Sequence, residues 1–235
     1  MTSPNDNISL KDALAANFKM RAKDVSVAQD GSLLTVRHLA MACPVDYGSG
    51  GCFQLCSKSG TMAAGLAAAS PIYSFRWTST THLALLRRLR LQAWSLGTGF
   101  AAGLATFDLF VARGWSAADT GGTTDTLTTD NGNLRTSMPA TLLSEIRHSS
   151  TATLTAGTRT KDVQPLDSMT LTVGTGINTV LNNLDACKLF DRTGTEHPLV
   201  MVENEGFVIQ ATVPATGTWG WSIIPEWDEV PLVNY

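Results

Sequence analysis

Charged side chains are scarce in this 235-residue chain. They make up 16% of it, against roughly 25% in ordinary soluble proteins, and Thr, Ser, Ala and Gly take their place. A surface so poor in charge suits packing against other protein subunits. The formal charge of −3 offers no general attraction to nucleic acid or to an anionic membrane, so neither is an expected partner. The chain has no apolar run of membrane-spanning length and no basic segment leading into an apolar one at its start. Synthesis and assembly in the cytoplasm are therefore expected. Cysteine is thin as well: Cys43, Cys52, Cys56 and Cys187 make no dense disulfide framework. A reducing compartment would keep them as thiols, and for Cys43, Cys52 and Cys56 a disulfide formed after release stays open beside packed free thiols.

Motifs of chemistry are missing too. Gly97-Thr-Gly-Phe-Ala-Ala102 matches a permissive dinucleotide fingerprint, but that motif needs a helix opening at its glycines, and Leu104 to Val111 reads as a strand. Cys52 and Cys56, with Cys43 and His38 upstream, hold soft ligands without the two close ligand pairs of a structural zinc site. His38, His82, His148 and His197 are scattered and lie in no nucleophile elbow or metal-binding helix. No catalytic residue, metal ligand or cofactor is expected.

What is present is a strand pattern. Phe207, Ile209, Ala211 and Val213 alternate with Gln210 and Thr212, the period of a half-buried strand. After a turn at Ala215-Thr-Gly217, Trp219, Trp221, Ile223, Pro225 and Trp227 take alternate positions of a second strand, the two reading as one two-stranded unit. Pro225 has no N–H to donate, which predicts an edge strand or a bulge there. Leu83, Leu85, Leu89 and Leu91 fall on one side of another strand, broken by Arg87, with Arg88 and Arg90 opposite, and the leucine-rich composition leaves a helix open as the alternative. Ala105, Phe107, Leu109 and Val111 make a further strand, and Gly97 to Gly103 predicts a hairpin joining these two. Residues 115–133 read as an exposed lobe, and shorter strands follow near Ile146, Leu171 and Leu199.

Ahead of this, Ser9 to Asn17 suggests a helix turn in an arm, Leu33 to Met41 a strand, Pro44 to Gly60 a loop, and Thr61 to Ser70 a short helix or ordered loop. Short strands at regular spacing predict an all-β, antiparallel sandwich of jelly-roll-like form with an N-terminal arm and long loops. Residues 1–60 would be the arm and Cys/Gly-rich loop, and 61–235 the sandwich.

Several segments carry a resemblance. They are Ser70-Pro-Ile-Tyr-Ser-Phe-Arg-Trp77, Leu85-Leu-Arg-Arg-Leu-Arg-Leu91, Thr98-Gly-Phe-Ala-Ala-Gly103, Asp119-Thr-Gly-Gly122, Leu134-Arg-Thr-Ser-Met-Pro139, Leu154-Thr-Ala-Gly-Thr-Arg159 and the tail from Glu205. Together they resemble structural proteins of tailed bacteriophages over roughly residues 60 to 230, a span suited to one β domain. The resemblance implies a virion component, preferably a capsid decoration (cement) protein contacting the major capsid protein, and supplies no functional residues. A homotrimer follows from that role through closed symmetry, not from any spacing.

Two sets of residues stand out for binding. Arg87, Arg88 and Arg90 are candidates for inter-subunit contacts, with intramolecular ion pairs as the plain reading. Trp219 and Trp227 with Glu226 and Asp228 suggest the alternative, a tail-associated receptor- or glycan-binding module. The exposure of those indoles decides between sugar stacking and core packing.

Overall fold

The computed structural model describes residues 51–63, 65–66, 68–96, 99–127, 132–134, 139–173, 188–192 and 197–232, with backbone alone at 26–27 and 33–34. In chain order its strands are β1 (Ser26–Val27), β2 (Leu33–Leu34), β3 (Gly51–Gln54), β4 (Ser57–Lys58), β5 (Met62–Ala63), β6 (Ser70–Trp77), β7 (His82–Ser95) and β8 (Gly103–Arg113). They continue as β9 (Thr123–Thr124), β10 (Glu145–His148), β11 (Thr160–Lys161), β12 (Asp167–Val173), β13 (Lys188–Asp191), β14 (Leu199–Met201), β15 (Glu205–Thr212) and β16 (Thr218–Pro231).

Apart from the short β1–β2 pair, two antiparallel sheets result, and they pack as a sandwich. The front sheet runs β11-β8-β15-β6-β10-β9, with β12 beside β11 along β8. The back sheet runs β13-β7-β16-β3, with β14 also on β7 and β4 and β5 also on β16. The late strand β15 lies between the early strands β6 and β8, which gives the jelly-roll-like interleaving. A sandwich needs each strand to turn one side inward, and the aromatic residues do this. Phe75 stacks on Phe207 with ring centroids 4.9 Å apart and meets Trp227 edge-on at 5.4 Å, so both sheets contribute to one continuous core.

Phe207, Ile209 and Ala211 are fully buried, as the alternation predicts, and so are Trp219, Trp221 and Ile223. The predicted hairpins are not formed. β15 and β16 lie in different sheets, as do β7 and β8, so both connections are arches that cross the sandwich. They meet at one end, where Leu96 N–H donates to the Thr218 carbonyl at 2.8 Å. Burial explains the outcome: a hairpin would put both strands on one sheet, whereas an arch carries β16 to the other sheet, where Trp219 meets Phe107 of the front sheet across the core at 5.9 Å.

Pro225 marks no edge, because β16 is flanked by β7 and by β3, β4 and β5. It stands opposite the break between β3 and β4, where no ladder N–H is asked of it. The bulge reading holds one residue later. Glu226 pairs with Arg88 and Trp227 with Leu86, leaving Arg87 over. This extra residue reverses the parity of β7. Leu89 and Leu91 therefore share the core with Leu86 and Ala84, while Leu83 and Leu85 pass to the other side, where they are nonetheless buried.

The sandwich also starts earlier than predicted, since β3 and β4 fall in the segment read as loop and pair with β16. The Thr61–Ser70 stretch contributes strand β5 and not a helix. Within the expected Leu33–Met41 strand the described backbone is Leu33–Leu34, paired with Ser26–Val27. The helix turn at Ser9 lies outside the described residues. The 115–133 lobe is not simply exposed: Trp115 and Asp119 are each 2% exposed, because Trp115 docks with Ala112 and Val208 on the outer side of the front sheet.

Candidate functional site

The bulge at Arg87 builds the densest charged cluster of the described residues. A bulged strand can present two successive side chains to one side, and both Arg87 and Arg88 reach Glu226. Arg87 Nη1 lies 3.9 Å from Glu226 Oε1 and 3.5 Å from Asp228 Oδ1. Arg88 lies 3.7 Å from Glu226 Oε2 and 3.7 Å from Asp191 Oδ1, and Lys188 Nζ is 2.9 Å from Asp191 Oδ2. Arg90 Nη2 donates to Gln54 Oε1 at 3.3 Å. Three cations, Arg87, Arg88 and Lys188, thus meet three anions, Glu226, Asp228 and Asp191, and the network neutralises itself. Burial pushes the Asp228 carboxyl above its ordinary pKa, and hydrogen bonding from Cys52 and the neighbouring Arg87 pull it back.

Sequence reasoning named five of these residues and separated them into two sites. The structure makes Arg87, Arg88, Glu226 and Asp228 one intramolecular network and ties Arg90 to Gln54. Trp219 and Trp227, expected as sugar platforms in the alternative reading, are 0% and 1% exposed. They turn inward and offer no ring face to a ligand. Cys52 is buried against this network, Cys56 is exposed, and no disulfide joins the two. Cys43 lies outside the described residues. Among the described residues no group of three or more His, Cys, Asp or Glu side chains is placed to hold a metal ion.

Two polar constellations escaped the sequence reading. At one side of the sandwich Ser57 Oγ donates to Asp125 Oδ2 at 2.5 Å, and His148 Nδ1 lies 3.2 Å from the same oxygen. The order is hydroxyl, carboxylate, imidazole. A nucleophilic serine needs the imidazole as its immediate base, whereas Ser57 gives its hydrogen to Asp125. The carboxylate instead clasps β4 of the back sheet to β10 of the front. Tyr73 is buried beside it, and its pKa is raised well above the usual phenol value by desolvation and by the charge of Asp125, with Ser57 opposing. Ser57 is thus near enough to influence the phenol, although the Tyr73 hydroxyl has no hydrogen bond of good geometry.

The second constellation pins the lobe. Asp119 pairs with Arg159 and accepts a hydrogen bond from Gly157 N–H at 2.8 Å, while the Arg159 guanidinium sits 5.0 Å from the centre of the Trp115 ring. Trp115 itself lies over Gly206, where a Cβ would come within 2.6 Å of its Cζ3. Asp119, Gly157 and Arg159 stood in the sequence as parts of recognised segments with no assigned work; nothing in their spacing announces an ion pair.

No protein-family model matches the chain, and no curated protein matches it.

Proposed function

We propose that the chain is a non-enzymatic structural protein of a tailed-phage virion, a decoration or cement subunit on the capsid surface that strengthens contacts between capsomers of the major capsid protein. The observation that carries this reading is the self-neutralised outer side of the back sheet. A rigid two-sheet body on which this cluster of charges already pairs internally can be laid against a neighbouring subunit there with little further loss of ion hydration. The resemblance of residues in β6, β7 and the C-terminal strands to phage structural proteins supports the same reading. A homotrimer fits threefold positions of an icosahedral shell by closed symmetry.

Quantitative mass spectrometry of purified virions, with the major capsid protein as internal standard, tests the assignment. Hundreds of copies per particle and binding of the purified chain to mature capsids are expected. A few copies confined to tails, or absence from virions, would overturn it.

A further inference from the structure

We propose that the outer side of the back sheet around Trp94 binds the face of a pyranose sugar. The chain has six tryptophans. Five of them, Trp77, Trp115, Trp219, Trp221 and Trp227, are at most 2% exposed. Trp94 alone is half-buried. It sits near the end of β7 on the outer side and pairs across the ladder with Gly220 of β16. A Cβ at Gly220 would come within 2.7 Å of Trp94 Nε1, 2.8 Å of Cε2 and 3.0 Å of Cζ2. The indole therefore lies across bare backbone, a shelf that any larger residue would remove. Glycine inside a strand weakens it, and an aromatic ring laid across the gap offsets that loss. Trp115 over Gly206 repeats the device on the front sheet, but there Arg159 covers the ring. Over Trp94 no ring or cation stacks among the described residues.

The surroundings select the ligand. Along β7 the next outward residue is Gln92, about 7 Å away by strand geometry, exposed, and bonded through Oε1 to Ser222 Oγ at 3.4 Å. On the far side of Ser222 stands exposed Lys58. The exposed Gln92 amide, held from below by the buried Ser222 hydroxyl, and the exposed Lys58 ammonium group lie on the same side as the aromatic ring; they match a sugar, whose C–H face stacks on the ring while its hydroxyls hydrogen-bond around it. A protein partner would call for a broader apolar centre, and near Trp94 the described residues of this side add Leu96 at the strand end, the small side chain of Ala63 and half-buried Ile224. The network at Arg87 lies further along the same strands, beyond Arg90, and is not part of the site. The inference does not depend on the position of the chain in a virion.

The test uses the full chain, titrated with maltohexaose, cellohexaose and chitohexaose as neutral probes and a hexagalacturonate as the acidic one, followed by calorimetry and intrinsic fluorescence. At least one probe is expected to bind and to perturb the emission of the half-buried indole. Trp94→Ala is expected to weaken binding by about tenfold or more, and Trp94→Phe by less, since a smaller ring keeps part of the aromatic face on which the sugar stacks. Gln92→Ala, at an exposed position, is expected to weaken binding with unchanged thermal stability, and it decides the matter if Trp94→Ala does not fold. Binding confined to the acidic probe and lost in Lys58→Ala would narrow the ligand to an acidic sugar. Absence of binding by every probe, or binding equal in Trp94→Ala and Gln92→Ala, would overturn the proposal. So would a Trp94→Ala variant that loses capsid binding while no sugar binds, which would make this a protein contact.

Discussion

Removing the Asp119 carboxylate exposes how the lobe is held to the sandwich. The Asp119 side chain is fully buried and that of Arg159 is 5% exposed. Desolvation lowers the Arg159 pKa from its ordinary value, so burial already opposes the charge that Asp119 balances. In Asp119→Ala the guanidinium would remain packed on Trp115 with no anion beside it, and Gly157 N–H would lose its acceptor. Breaking a buried pair in this way costs about 3–5 kcal/mol, a large share of the about 5–15 kcal/mol that holds a typical domain together. For a chain of this size that corresponds to a fall in Tm of about 6–20 °C. Urea unfolding followed by tryptophan fluorescence, with equal m-values for both proteins, measures it directly. The double variant Asp119→Leu with Arg159→Met removes both charges and is expected to recover most of the loss. A cost below about 1 kcal/mol for Asp119→Ala, the range of exposed pairs, would refute the burial argument. A double variant as unstable as the single one would show that packing, and not the stranded charge, sets the cost.

Two further outcomes follow from the same structure. Gly206→Ala would drive its methyl group into the Phe75 carbonyl and the Trp115 ring; a loss of about 3 kcal/mol or more is expected, and unchanged calorimetric stability would contradict the close approach. The Glu229 carboxylate accepts hydrogen bonds from Leu142 N–H at 2.9 Å and Trp227 Nε1 at 3.1 Å and from the Thr141 hydroxyl, yet burial still raises its pKa above 4.5. The folded state then holds a proton that the unfolded state has released, in the window from 4.5 up to the raised value. Stability from this group consequently falls as pH rises through that window and is recovered on acidification. Wild type is expected to gain stability relative to Glu229→Gln as pH is lowered from neutral toward 4.5; parallel pH profiles in chemical denaturation would remove this account.

The legibility of the chain differed from residue to residue for physical reasons. Phe207, Ile209 and Ala211 were readable because a strand turns alternate residues to one side whatever sheet it joins. The same logic failed at Leu83 and Leu85. A bulge inserts one residue without changing composition, so Arg87 reversed the parity of β7 while the leucine count stayed suggestive of a single inward row. Pro225 announced an interruption correctly but not its place, since whether a strand is central depends on partners as distant as Gly51–Gln54. Trp219 and Trp227 looked equally suited to sugar or to core, and the arch between β15 and β16 decided for core by turning β16 toward Phe75 and Phe207.

Composition and periodicity by themselves determined that the chain is an all-β protein with a low-charge surface and that its C-terminal tryptophans occupy one side of a strand. These properties are local, set by side-chain alternation and by the hydration cost of charge. Only the tertiary structure decided that Arg87, Arg88, Glu226 and Asp228 neutralise one another, that Asp125 joins Ser57 to His148, and that Trp94 is the indole left half-open. Each of those facts depends on register between strands far apart in the chain. A one-residue shift moves every side chain to the opposite side, and that shift is settled only when the two sheets close on a common core.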